Sequence, residues 1–482
     1  MSKDNCKKVE KDLLKQIANG HYIVATEKPT IVSALAAVPK ADCDDIRLIH
    51  DGSKPEGFSM NEYASLISVR YQTLEEAANL AKPGYFLAKV DLKGAYRSVP
   101  IHPKDYKVTG VKWKFEHCNK DVYLFDSRLC FGSKLGPSIF TRLSQSIRRM
   151  MERKGFSGVT AYLDDFLICE SSYERCDKAF HTLLHLLRDL GFSISWQKVI
   201  CPTTKLPFLG IEIDTVSCTF SLGQTKLDAL HAKLMPFRHR KRASRRQLES
   251  ITGSLNWACQ AIRGGRFFLR RILDSVKTVR HGHHKVRLDS NFKQDVEWWL
   301  SFLEHFNGVV YYDRCKQFTV HVDACNRGAG IFSNGDWSYV MWSCDMPWAE
   351  KLHINYKEIL SVWLAAKRWG RTWKNGQVLI LTDSNVAKAC INKGRCKNSV
   401  VNVALRELFW ISVQYNFTIR AISISGSINK IPDTISRLDE KGNFSKLWIL
   451  LNNWFHGTCP VYFWLLYHMS VFSLLNLLPR LL

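Results

Sequence analysis

The sequence predicts an α+β multidomain fold, and three observations carry that expectation. The chain has 482 residues, too many for one ordinary hydrophobic core, so roughly two to four domains are expected. Short apolar, β-branched runs repeatedly end in an acid: Tyr85–Asp91, Val159–Asp164, Phe318–Asp323 and Val378–Asp383. Such runs read as strands. Longer amphipathic stretches with capping and stop signals lie between them and read as helices.

The composition narrows the partners. A formal charge of +24 and a pI near 9.4 favour a polyanion, of which nucleic acid is the commonest. The plainer reading is a basic protein with no such partner. Fifteen cysteines occur without a Cys-x-x-Cys pair, which argues against a zinc module and a disulfide scaffold and for reduced thiols. The first residues are charged and lack an apolar core, so no secretory signal is expected and the location is intracellular, cytoplasm and/or nucleus. His281, His283 and His284 have no acid or cysteine beside them and read as a solvated loop.

Residues 1–84 open with a lysine-rich amphipathic stretch. Lys40 and Arg47 follow on extended segments either side of a turn, where two cations could grip a triphosphate. Residues 85–215 hold the densest chemistry. Asp91 ends a strand. Asp164 and Asp165 sit side by side in a strand–turn–strand, where they repel unless a cation lies between them. A divalent ion suits oxygen ligands; an ordinary Asp-rich hairpin turn is the alternative. If the two segments share a sheet, three carboxylates surround two ions about 3.5–4 Å apart, an arrangement for in-line phosphoryl transfer. Phe131-Gly132 precedes Pro137, which starts a helix. Phe208–Asp214 reads as one strand.

Residues 216–307 read as helical and basic. Ser244 and Gln247 form a capping-box pattern. The run Arg238-His239-Arg240-Lys241-Arg242 reads as a face that meets a duplex backbone, or as a solvated helix surface. Residues 308–440 bring a second set of acids. The element order is βββαβα with further helices. Asp323 and Asp383 end strands, Glu358 lies in the first turn of a helix, and Asp433 opens a late one. Four carboxylates at one sheet edge would make a second two-ion site, suited to hydrolysis; four unrelated acids at element ends is the other reading. Residues 441–482 are an apolar tail. A membrane segment over 457–479 is one reading, and a non-native or disordered extension is an equal one.

Taken together, these motifs resemble a reverse transcriptase followed by ribonuclease H, as in retroelement polyproteins. Val38-Pro39-Lys40, Arg47-Leu48-Ile49-His50-Asp51 and Ser53-Lys54-Pro55-Glu56-Gly57 look most like the tyrosine-recombinase retrotransposons of the DIRS type. The resemblance implies a right-hand polymerase, with fingers, palm and thumb, and then an RNase H-like α/β domain. It implies RNA-directed DNA polymerase activity with linked cleavage of RNA in RNA–DNA hybrids. Mg²⁺ or Mn²⁺, two ions per active site, RNA template, DNA primer and deoxynucleoside triphosphates would be required. Other element-encoded proteins, a recombinase or Gag, would be partners, and a membrane would not. The alternative is a catalytically silent, retroelement-derived nucleic-acid-binding protein.

The resemblance also assigns residues. Asp91, Asp164 and Asp165 match the polymerase metal carboxylates, and Lys40 and Arg47 the cations on the incoming triphosphate. Tyr96 matches the aromatic steric gate, and Phe131 and Gly132 the nucleotide-pocket turn. Phe131 replaces a common glutamine, so packing must stand in for a hydrogen bond to the sugar. Lys198 matches the lysine proposed to protonate pyrophosphate, and Phe208-Leu209-Gly210 the primer grip. Asp323, Glu358, Asp383 and Asp433 match the ribonuclease H carboxylates. Ser423 stands where that family often has a histidine, and serine does not titrate near neutral pH.

Overall fold

In a computed structural model of the chain, residues 3–39, 46–65, 67–118, 120–278, 284–311 and 316–458 are described. They fall into two compact units. The first runs to Ser221 and includes Val310 and Tyr311; the second begins at Leu222.

The first unit contains two sheets that matter for function. One is five-stranded, in the order Tyr22–Val24, Val122–Asp126, Gly110–Trp113, Val32–Pro39 and Ile46–Asp51. The helix Lys3–Ala18 buries Val9 and Leu13 against Tyr22, Val111 and Leu124 of this sheet. The other is an antiparallel sheet of Val159–Tyr162, Asp165–Glu170, Phe86–Asp91 and Ile200–Thr203. Alternation along a strand decides what each of its faces does. Ala88, Val90, Phe166 and Ile168 join Phe140, Ile147, Phe180 and Leu183 of the helices Gly136–Arg153 and Tyr173–Asp189 in one core. Lys89, Asp91 and Asp165 therefore project from the opposite face of the same strands.

The expected single strand over Phe208–Asp214 is instead a hairpin. Lys205–Phe208 pairs with Ile211–Asp214 across Leu209 and Gly210, at φ 48° and 82°. Two successive positive φ angles make a tight two-residue turn. The signal for strand continuity, apolar residues on both sides, was overridden by Gly210.

The second unit is built around a mixed five-stranded sheet. Its order is Asp336–Met341, Gly328–Ser333, Gln317–Ala324, Gln377–Thr382, Thr418–Ser423. The first three strands are antiparallel, and the last two run parallel to Gln317–Ala324. The Asn334-Gly335 turn forms as its dipeptide predicts, at φ 50° and 86°. The helices Ile354–Trp369 and Ser399–Gln414 bury Ile359, Val362, Val401 and Leu405 against Val320, Val378 and Ile380.

The basic helical segment belongs to this same unit, so the expected boundary between 307 and 308 is not a boundary between compact units. Phe268, Trp298, Phe306, Phe409 and Trp410 form one aromatic cluster. Beside it the buried Asp295 accepts from Arg406 at 2.8 and 2.9 Å, and Arg271 lies 3.5 Å away. The Arg238–Arg242 run is not one helix surface either. Arg238 and His239 end the helix Gln224–His239, and Arg242 begins a short strand paired with Lys285–Arg287. The capping box at Ser244 and Gln247 is formed.

The start of the expected apolar tail is folded. The helix Asn443–Thr458 buries Leu447 and Leu451 against Phe332 and Ile435. No helix among the described residues is long and apolar enough to cross a membrane. Residues 459–482, and with them most of the 457–479 stretch, lie outside the described residues.

Candidate active sites

In the first unit Asp91 and Asp165 are register partners on neighbouring antiparallel strands. The hairpin Tyr162–Asp165 closes through Leu163 and Asp164, with Tyr162 paired to Asp165. Leu163 adopts φ 53°, a left-handed conformation that costs a non-glycine residue about 1–2 kcal/mol. That turn leaves Asp164 beside the strand end, where its carbonyl accepts from the Leu92 amide at 3.2 Å. The three acids are thus gathered from segments far apart in sequence.

Their environment is partly buried and partly cationic. Burial, then a hydrogen bond shared with Asp165 and that residue's charge, push the Asp91 carboxyl up to about 6, while Lys198 pulls it down. Burial also raises Asp164, opposed by backbone donation and by the charges of Lys198 and Arg47. Lys198 Nζ lies 3.4 Å from Asp91 Oδ1. Lys89 Nζ lies 3.1 Å from Asp165 Oδ1. Sequence reasoning missed Lys89. Its signal was period-two alternation: two residues before Asp91, it shares that residue's face and lies diagonally across from Asp165. Three carboxylates gathered at one strand end and its adjoining turn make a hard-cation donor set, so these residues fit a divalent metal.

Next to the acids lies an aromatic pocket. Tyr96 and Phe131 stack at 5.0 Å between ring centroids, and the Arg47 guanidinium lies 5.5 Å from the Phe131 centroid. Burial pushes the Tyr96 hydroxyl up to about 12, so it stays neutral. Gly132 has φ +110°, and a Cβ there would lie 1.8 Å from the His50 carbonyl oxygen. Only glycine lets this turn press against the strand carrying Arg47. Asn61, also missed, braces the turn: its side chain donates to the Gly132 carbonyl at 2.9 Å and accepts from the Lys134 amide at 2.7 Å. Tyr71 packs at 5.5 Å from Tyr162, beside the acid turn. Lys40 lies outside the described residues.

A third cluster in this unit brings ligand-type atoms of His50, Asp126 and Cys130 within 4.8 Å of one another. Arg97 occupies both oxygens of Asp126, at 2.8 and 2.6 Å. A guanidinium already bound to the carboxylate makes this an ion-pair network rather than a metal centre.

In the second unit Asp323, Glu358 and Asp383 bring ligand atoms within 4.8 Å. Asp323 and Glu358 are buried. Burial, reinforced for Glu358 by Asp323 and Asp383, pushes Asp323 up to about 7 and Glu358 up to about 9. Ser436 donates to Asp323 Oδ2 at 2.7 Å, and the Ala324 amide to Glu358 Oε1 at 3.3 Å. Glu358 Oε2 is buried without a partner. Such a set also fits a divalent cation. Gly330 permits the helix Lys430–Ser436 to cross close by: a Cβ there would lie 2.2 Å from the Pro432 carbonyl oxygen. Asp433, on that helix, is not in the tight group; Arg437 holds its carboxylate at 3.0 Å. Ser423 pairs with Thr382 at the strand end, adjacent to Asp383.

Comparison with known proteins places these geometries. Residues 29–213 match the family described as reverse transcriptase (RNA-dependent DNA polymerase). The Gag-Pol polyprotein of avian reticuloendotheliosis virus is 25% identical over 28% of this chain and 12% of its own length. The putative enzymatic polyprotein of cassava vein mosaic virus is 22% identical over 78% of this chain and 56% of its own. The chain thus spans only part of the polyproteins it matches. Among solved structures, a foamy viral protease–reverse transcriptase in complex with double-stranded DNA shares the fold. Its TM-score is 0.54 at 16% identity, over 84% of this chain and 68% of that one. Residues 29–213 are therefore similar to the reverse transcriptase domain of retroelement and viral polyproteins.

Proposed function

We propose that the chain is an RNA-directed DNA polymerase that extends a DNA primer on an RNA template. One observation carries the reading: Asp91 and Asp165 face each other in register, Asp164 sits in the intervening turn, and Arg47, Tyr96 and Phe131 line a pocket alongside. Asp91, Asp164 and Asp165 would hold Mg²⁺ or Mn²⁺. Bound divalent ions supply charge that lowers the barrier for a 3′-hydroxyl to displace pyrophosphate. Arg47 meets the triphosphate charge. Tyr96, stacked on Phe131, occupies the space a ribose 2′-hydroxyl would need, so deoxynucleotides are preferred by overlap. Lys198, ion-paired to Asp91, is the cation best placed to give a proton to the departing pyrophosphate.

A second activity, cleavage of RNA in RNA–DNA hybrids, is supported by the close grouping of Asp323, Glu358 and Asp383 and by the orphaned oxygen of Glu358. These residues would hold a divalent ion, with Asp433 available once Arg437 releases it. The Val38–Gly57 motifs support a DIRS-type relationship, and the polyprotein relatives support element-encoded companions.

The test is templated extension on poly(rA) with an oligo(dT) primer, with a metal-free control and the Asp165→Asn variant. Metal-dependent extension by the parent, lost in Asp165→Asn while duplex binding persists, is expected. Equal extension by both proteins refutes the reading, and so does binding without extension by the parent.

A further inference from the structure

The nucleotide pocket is assembled from three separate chain segments, and one buried carboxylate ties all three together. Asp126 is fully buried at the end of the strand Val122–Asp126, on the segment that leads to Phe131. It accepts two hydrogen bonds from Arg97, at 2.8 and 2.6 Å, and Arg97 directly follows Tyr96. His50 Nε2 lies 3.2 Å from Asp126 Oδ2, on the strand that begins with Ile46 and Arg47. The same His50 holds the Phe131 carbonyl through its backbone amide at 2.8 Å.

Tyr22 completes the network. Its hydroxyl lies 2.5 Å from His50 Nε2, its ring stacks on the imidazole, and the Arg97 guanidinium lies 5.1 Å from its centroid. The Arg128 amide also donates to Asp126, at 3.0 Å. None of these groups touches the metal carboxylates.

We infer that Asp126, with Arg97 and His50, is a positioning network that fixes Arg47, Tyr96 and Phe131 relative to one another and so sets deoxynucleotide affinity and sugar discrimination. The inference rests on the polymerase reading above and deepens it. The physical basis is geometric. A single guanidinium nitrogen, Arg97 Nη1, bridges both oxygens of the buried Asp126, so Arg97 cannot slide without breaking two charge-assisted bonds. Tyr96 is anchored through its neighbour. Gly132 is pressed onto the His50 carbonyl, so the Phe131 turn moves with the strand that carries Arg47.

A buried ion pair kept only for folding is the competing explanation, and the test separates the two. Replacing both partners, Arg97→Met with Asp126→Leu, leaves no unpaired charge, and such exchanges commonly preserve stability. The double variant is expected to melt within a few degrees of the parent. Its KM for deoxythymidine triphosphate should rise about tenfold with kcat within about twofold, the signature of lost substrate binding. Its preference for deoxy- over ribonucleotide should fall about tenfold as Tyr96 loosens. Tyr22→Phe, which removes one hydroxyl and keeps the ring, should move both readouts the same way by less, and it serves if the double variant does not fold. A folded variant with the parent's KM and sugar preference overturns the inference while the polymerase reading stands. A parent that adds no nucleotide sinks both.

Discussion

The two acid clusters differ in what neutralises them. In the first unit, Lys89 and Lys198 lie within 3.1 and 3.4 Å of Asp165 and Asp91. In the second, Asp323, Glu358 and Asp383 converge with no ion pair to a cation among the described residues; Arg437 is paired with Asp433 instead. Burial raises the carboxyls of both groups, Asp91 to about 6 with Lys198 opposing it, and Asp323 and Glu358 to about 7 and 9. The two acid groups are thus prepared differently: lysines accompany the first, and burial keeps protons on the second.

The strongest break of this comparison is to silence each cluster separately. Asp165→Asn should lower primer extension on the order of a thousandfold and leave hybrid cleavage intact. Asp383→Asn should do the reverse. Gel assays of both reactions on one labelled hybrid check it, and joint loss in either variant would show that the clusters do not work independently.

The next largest effect is on stability against pH without metal. Glu358 and Asp323 have folded pKa values near 9 and 7, above their ordinary 4.5 and 3.8. The folded second unit therefore binds more protons than the unfolded chain between those values, and it loses stability as pH rises. His50 has the opposite sign. Burial holds it down to about 4, below its ordinary 6.5, so its contribution is lost as pH falls through that window, while Asp91, pushed up to about 6, contributes with the opposite sign there. From pH 6.5 to 9 in chelator, the second unit should weaken by about 3 kcal/mol while the first changes little. Amide hydrogen exchange, corrected for intrinsic rate, reads this in Gln377–Thr382 and in Asp165–Glu170. Magnesium should close the gap; parallel changes in the two strands would refute the contrast.

Why the first cluster was legible in the sequence and its balancing cations were not follows from the same geometry. Asp91, Asp164 and Asp165 end apolar runs, and alternation alone puts Asp91 and Asp165 opposite the faces that carry Val90 and Phe166. Lys89 obeys the same alternation but looks like any surface lysine until its diagonal neighbour is known. The Leu209-Gly210 turn was hidden by apolar neighbours that suit a strand equally well. That the basic run passes from a helix end into a strand was hidden, because strand pairing between Arg242 and Arg287 is a long-range fact. The common unit of the basic helices and the second sheet depends on Arg406 reaching Asp295, which no local pattern announces. Asp433 was grouped with the other acids because it opens a helix at the right place. Its pairing with Arg437 follows from helical i, i+4 spacing and could have been anticipated.

A smaller effect sharpens the role of the lysines. Lys89→Met leaves Asp165 without its cation on a largely buried face. The metal-free first unit should lose about 1–2 kcal/mol, since a half-broken, partly buried pair costs less than a fully buried one. Saturating magnesium should erase most of the difference, because the ion then supplies the missing charge. Urea melts with and without magnesium measure both. A loss that persists in magnesium would mean that Lys89 matters through packing of its stem rather than through its charge.

The smallest effect concerns how each cluster is mounted. Asp323 and Asp383 sit at strand ends, Glu358 lies in the second turn of the helix Ile354–Trp369 rather than its first, and none has a positive φ. The first cluster instead hangs on Leu163 at φ 53°. That strain, about 1–2 kcal/mol, is of the same order as the benefit of partly burying the leucine side chain against the adjoining core. Leu163→Asn removes both together, because asparagine tolerates the left-handed region. Net stability should therefore change by less than about 1 kcal/mol. Extension should nonetheless decline severalfold, because the side chain that fixes the turn's tilt under Asp164 is gone. A stability loss above about 2 kcal/mol would mean that packing outweighs strain. The turn would then be held by its core contact, and the contrast in mounting between the two clusters would disappear.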